Sequence, residues 1–199
     1  MHDERTAPQR IRVTGLQEAQ LPALVALEQA CTAMYHAAGF DAAEVPARAL
    51  PELIALTRRH DVRVAEADDE VAGYMAWRDE PPGVAYLEEL SVHPDHQRRG
   101  IATRLLEELR ERARELGMQQ IVLRTRVKAS WAQDFYRRAG FVPLGPDAPA
   151  KVRAWRSERE ASGTPLTRPG EVVLWSAIAP KPAEEPDDDG EAGDEPSAG

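Results

Sequence analysis

One segment constrains this chain more than any other: Val92-His93-Pro94-Asp95-His96-Gln97-Arg98-Arg99-Gly100-Ile101-Ala102-Thr103. An apolar strand runs into a proline, a short polar and basic loop follows, and a glycine opens a strong helix. Gly100 lets the backbone approach a ligand closely. The unpaired amides of the first helical turn point at any anion placed there, and the helix dipole adds positive potential. Arg98 and Arg99 bring donors suited to phosphate oxygens. The order predicts a pyrophosphate cradle between a strand and a helix.

Helices and strands alternate around this unit. A short strand is expected at 11–14. A helix over 21–37 carries Leu21, Leu24, Leu27, Ala30, Cys31 and Met34 on one face. A second helix is expected near 47–59. Residues 61–67 and 71–77 flank an acidic turn and read as an antiparallel hairpin. Strand 84–92 precedes the loop, and helix 101–116 stops at Gly117. Strand 120–127 is followed by Ser130-Trp131-Ala132-Gln133, the pattern of a capping box opening a helix that ends at Gly140. Strand 141–144, helix 151–161 and strand 171–179 complete the chain. This order predicts an α/β fold, a mixed sheet with helices on both faces.

Charge separates the end of the chain from the rest. The net charge is −9, but residues 180–199 hold eight acids against one lysine. That stretch has no large apolar side chain and is expected to stay unfolded as a solvating tail, leaving 1–179 as a single domain. No basic face with interleaved aromatics is present, so no nucleic-acid partner is expected. No run approaches about 18 apolar residues, and the first residues lack an apolar signal core. A cytoplasmic protein with no membrane partner is the expectation. One cysteine, Cys31, excludes an internal disulfide. Metal-ligand spacing is absent, so no metal is expected.

These residues resemble the GNAT superfamily of acyl-CoA-dependent N-acyltransferases. Gln97-Arg98-Arg99-Gly100-Ile101-Ala102 is similar to its Gln/Arg-x-x-Gly-x-Gly/Ala signature, and Leu90-Ser91-Val92-His93-Pro94 to its fourth strand. Ala132 through Tyr136 to Gly140-Phe141 is similar to its second motif. Ala129 stands where many members carry Asn. The resemblance implies a mostly antiparallel sheet splayed between its fourth and fifth strands. It implies acetyl-CoA as co-substrate, and a small-molecule or peptide amine as acceptor. The pyrophosphate would lie on residues 98–103, and the pantetheine arm along Leu90, Ser91 and Val92. The cofactor-binding candidates are therefore Leu90, Ser91, Val92, Gln97, Arg98, Arg99, Gly100, Ile101, Ala102 and Thr103. Homodimers are common in the family, so a homodimer is allowed.

Direct attack of an amine on a thioester needs a neutral amine and a leaving thiolate relieved of its charge. Tyr136 is the candidate acid, by motif position, expected to pass its proton to the thiolate. Glu88 is the candidate base, acting through water, with Glu89 the fallback. By strict alternation Tyr86, Glu88, Leu90 and Val92 share one face, and Leu87, Glu89 and Ser91 the other. Two carboxylates on a strand covered on both sides need an explanation. His93 and His96 read as exposed loop residues. His36, Tyr74 and Trp77 are weighed for the acceptor pocket, with core packing preferred. A non-catalytic acyl-CoA-binding module is the alternative to an enzyme.

Overall fold

The computed structural model describes residues 10–180. The acidic stretch lies outside them from Lys181 on. Seven strands form one sheet in the order β1-β2-β3-β4-β5-β7-β6. The strands are β1 Ile11–Gly15, β2 Asp61–Ala67, β3 Glu70–Glu80, β4 Val84–Val92, β5 Gln120–Arg126, β6 Val142–Pro143 and β7 Glu171–Ala177. Every neighbouring pair is antiparallel except β4 and β5, which are parallel. The helices are α1 Leu21–Ala37, α2 Leu50–Thr57, α3 Ile101–Glu115, α4 Ser130–Arg138 and α5 Ala150–Ala161. The expected mixed sheet with helices on both faces is observed.

Each face has its own apolar layer. On one face Leu105, Leu109 and Ala113 of α3 and Tyr136 of α4 pack on Met75, Trp77, Leu87, Ile121 and Leu123. On the other, Leu24, Leu27 and Cys31 of α1 and Leu53 of α2 cover Val64, Tyr74 and Ala76. Farther along that second face, Val152 and Trp155 of α5 cover Tyr86, Val122 and Val173. The two groups of helices on the second face leave a gap between them, over the middle of the sheet.

Local chemistry sets the helix ends. Pro22 and Pro51 lie in the first turns of α1 and α2, where a missing N–H costs nothing. Both α3 and α4 close with a glycine in the left-handed region, Gly117 and Gly140. In α4 the Phe141 N–H reaches back to the Tyr136 carbonyl at 2.9 Å, and Gly140 to Arg137 at 3.1 Å. This is a Schellman closure, and it brings the apolar residues on either side of it into contact. The rings of Tyr136 and Phe141 lie 5.4 Å apart. The spacing of Tyr136 to Gly140-Phe141 thus fixes the phenol in place.

Several boundaries differ from expectation. β3 extends to Glu80, because Arg78, Asp79 and Glu80 pair with Tyr86, Ala85 and Val84 of β4. The second helix is shorter, starting at Leu50. The capping box is not formed: Ser130 is already helical, Ala129 is the cap, and no side chain caps it. Gln133 instead donates to the carbonyls of Arg126 and Val127, tying the helix to the end of β5.

Candidate active site

The parallel pairing of β4 with β5 covers only Ala85–Leu87 against Ile121–Leu123. Beyond Leu87 the strands diverge, and the β4 edge facing β5 has no strand partner. Two cavities open at this splay. One, about 730 Å³, lies on the α3 and α4 face. The other, about 460 Å³, lies in the gap on the second face, near the α1–α2 loop. Both volumes suit small-ligand sites. Cys31, Tyr35, Leu90, Ser91, Ala132 and Tyr136 line both. The two cavities therefore adjoin at the splay, and these six residues form the throat between them.

The larger cavity contains the expected cradle. The N–H groups of residues 98–103 have no acceptor among the described residues, and the first α3 bond runs from Arg104 to Gly100. Gly100 has φ +83°, and a Cβ there would meet nothing within 4 Å. Arg98 also has positive φ, at 60°. Consecutive amides beside left-handed residues form an anion nest at a helix N-terminus. Gln97 points back, its amide nitrogen 3.4 Å from the Val92 carbonyl, and anchors the loop to β4. Leu90, Ser91, Val92, Gln97, Arg98, Gly100, Ile101, Ala102 and Thr103 line the cavity. Arg99 does not, and its side chain is exposed. His96 lines the cavity, half-buried, with Nδ1 unpartnered. It is not the exposed loop residue expected, because its ring packs near that of His93.

Tyr136 is buried, and its hydroxyl has no hydrogen-bond partner among the described residues. Burial pushes the phenol well above its ordinary value of 10.0, and the nearby Glu89 charge pushes it further. This corrects the expectation of outright proton transfer. A phenol at about 10 is already a weaker acid than a thiol at about 8.5. Raised further, it keeps its proton and is suited to stabilising a forming thiolate by hydrogen bonding.

The two carboxylates of β4 sit at a break in the strand. Ala76 opposes Glu89 and Trp77 opposes Leu87, so Glu88 is an extra residue, a β-bulge. The bulge reverses the alternation. Leu87, Leu90 and Val92 all face α3, while Tyr86, Glu89 and Ser91 face the second cavity. The expectation of one face for Tyr86, Glu88, Leu90 and Val92 is corrected for this reason. Glu88 lies 3.5 Å from Arg78, 3.8 Å from Arg124 and 4.0 Å from His60. Glu89 accepts from Arg48 and, at 2.7 Å, from Ser91 Oγ. Of the two, Glu89 is the one whose charge is felt at Cys31 and Tyr35. Burial first, and the Glu89 charge second, raise both the Cys31 thiol and the Tyr35 phenol to about 12.

Residue reading alone did not find Glu28 or Arg48. Glu28 is buried on the apolar stripe of α1, where it accepts from Tyr74, from the Arg48 backbone at 3.0 Å and from its guanidinium at 3.4 Å. Burial raises this carboxyl, and the Glu89 charge adds to the effect. An acid on a core stripe is the signal that pointed to it. Tyr74 packs in the core, as does Trp77, and His36 is exposed, so none of the three lines the second cavity. Instead Tyr35, Phe40 and Trp131 make an aromatic group beside the throat, with centroids 5.2–6.1 Å apart.

Comparison with known proteins places this arrangement. The family model described as "Acetyltransferase (GNAT) family" matches residues 22–141. No curated protein matches the chain. Among solved structures, a GNAT-family acetyltransferase of Staphylococcus aureus is 14% identical with TM-score 0.64, covering 85% of this chain and 100% of its own. The PaiA N-acetyltransferase of Thermoplasma acidophilum, solved with coenzyme A, is 15% identical with TM-score 0.65, covering 84% and 99%. The ribosomal-protein-S18-alanine N-acetyltransferase of Escherichia coli is 17% identical with TM-score 0.61, covering 88% and 99%.

Proposed function

The chain belongs to the GNAT acetyltransferase family, and from that premise we propose that it moves an acetyl group from acetyl-CoA directly to a primary amine. One observation carries this reading: two cavities on opposite faces of the sheet meet at a throat that contains Tyr136. One admits the thioester, the other the amine, and neither ligand has to leave for the other to enter.

The free amides of residues 98–103 fit a pyrophosphate, and open space stands where a Gly100 side chain would be. The unpaired edge of β4 at Leu90, Ser91 and Val92 receives the amides of the pantetheine arm. When bound, the coenzyme supplies an activated acyl carbon. Tyr136 donates a hydrogen bond to the sulfur as charge develops there. Glu89 draws the ammonium group toward the throat and takes a proton through water, with Glu88 next along the strand. Buried donors and charges fixed in advance act strongly because no solvent has to reorganise around them.

A thiol-release assay with acetyl-CoA and a pooled amine library tests the reading, with acetylated products identified by mass. Release that depends on amine is expected. Tight acetyl-CoA binding with no amine-dependent release would overturn it in favour of a non-catalytic acyl-CoA-binding module.

A further inference from the structure

The second cavity is electrically divided. Its wall beside the throat is acidic. Glu28 and Glu89 share the single guanidinium of Arg48, so two carboxylates face one cation. Its opposite wall, at the ends of β5 and β7, is basic. Arg124 has two carboxylates near it, Glu171 at 3.7 Å and Glu88 at 3.8 Å, whereas Arg126 has only Glu171, at 3.9 Å and beyond hydrogen-bond range. The Arg126 guanidinium is only 17% exposed, and its one direct acceptor is the uncharged backbone carbonyl of Glu44. Arg168 lines the same wall, and its side chain has no ion pair among the described residues. A largely desolvated guanidinium without a full counter-charge is costly unless an anion joins it. A planar carboxylate fits the guanidinium fork with two parallel hydrogen bonds.

We propose that the acceptor is a small amino acid: an amine held toward Glu89 at the throat, with a carboxylate held by Arg126 and Arg168 at the far wall. The inference rests on the acetyltransferase reading and narrows its acceptor. A volume of about 460 Å³ admits an amino acid with some water. The charge pattern also fixes the direction of entry. An ammonium group is drawn to the acidic wall and repelled by the arginines, so the nucleophile arrives beside Tyr136. A carboxylate reversed toward Glu89 would meet two acids. An amine without a carboxylate would leave the basic wall uncompensated.

Thiol release is measured on the full-length protein with free amino acids, their primary amides, the matching decarboxylated amines, and phosphoethanolamine. The best free amino acid should exceed its own amide in kcat/KM at least tenfold. Arg168→Gln and Arg126→Gln should each cut that ratio severalfold, an effect on preference that general loss of folding does not produce. Amides or decarboxylated amines used as well as the amino acids would overturn the proposal. So would phosphoethanolamine as the preferred acceptor, since it would assign the basic wall to phosphate. In either case amine acetylation itself stands. If no amine releases thiol, the acetyltransferase reading falls, and the proposal with it.

Discussion

Gly73 lies so close to Ser91 that a side chain on it would put its Cβ 2.9 Å from the Ser91 carbonyl oxygen. The same atom would fall 3.1 Å from Ile101 Cγ2 and 3.2 Å from Val92 Cγ2. Two backbone strands and the first residue of α3 converge on this glycine. Gly73→Ala should therefore cost about 1–3 kcal/mol, the usual range for overpacking. It should also weaken acetyl-CoA binding, because relief requires β4 or Ile101 to shift. Thermal melting and calorimetry measure the two effects, and unchanged values for both would remove Gly73 from the design of the site.

Gly100 gives the contrasting case. A Cβ there meets no protein atom, yet φ is +83°. Gly100→Val should leave the circular dichroism spectrum native and lower stability modestly through backbone strain. Its side chain would occupy the approach to the free amides, so calorimetry should find acetyl-CoA affinity reduced at least tenfold. Affinity equal to wild type would move the pyrophosphate elsewhere.

Tyr136→Phe keeps the ring against Phe141 and removes only the hydroxyl. With a transition-state hydrogen bond lost, turnover should fall by roughly 10²–10³. Acetyl-CoA affinity should change little, since the cradle is untouched. If turnover holds within about twofold, with chemistry rate-limiting, the phenol is a packing residue.

The carboxylates of β4 should separate on substitution. Glu89→Gln removes the charge felt at Cys31, Tyr35 and Tyr136, so kcat/KM should drop by roughly 10²-fold or more, the scale of general-base loss. Glu88→Gln, amid Arg78, Arg124 and His60, should lose less. Steady-state pH profiles of both variants test this. A larger loss at Glu88 would return the base to that residue.

Glu80 holds α5 to the sheet. It accepts the Trp155 indole N–H at 2.5 Å and two bonds from Arg159, at 2.8 Å and 2.6 Å. Burial alone would raise its carboxyl, but the bonds from Arg159, Trp155 and Arg78 outweigh it and hold the group below its ordinary 4.5. Its contribution is therefore present above about pH 4.5 and lost as pH falls through the lower folded value. Glu80→Gln should cost about 2–4 kcal/mol near neutrality. Denaturant melts of wild type and variant should converge as pH drops through that window. A gap that persists at acid pH would make the effect one of packing.

Much of the fold could be read from periodicity. The α3 stripe, the hairpin of β2 and β3, and the strand-to-helix turn at Gly100 are local patterns, and local patterns are what a sequence displays. The cradle was legible for the same reason. The second cavity was not. Arg48 reaches Glu28 across 20 residues and Glu89 across 41, and no spacing announces such meetings. Glu28 did carry a local signal, an acid on the stripe of Leu24, Leu27 and Cys31, but nothing in the spacing named its partners. Gly73 carried a signal that went unused, since a glycine inside a strand marks a close approach. The assignment of faces on β4 failed because alternation presumes that strands pair one to one.

That bulge has a consequence for how the chain tolerates change. From Glu89 to the end of β4, which side chain meets oil and which meets water is decided by its partner on β3, not by a count along the chain. Deleting Glu88 would alter no other letter of the chain. It would remove the one residue without a partner on β3, straighten the ladder, and leave Leu90 and Val92 toward α3 and Glu89 and Ser91 toward the polar chamber. A deletion at a paired position would break the match between the two strands, whereas the loss of Glu88 would cost β4 its kink and keep every other residue at its address.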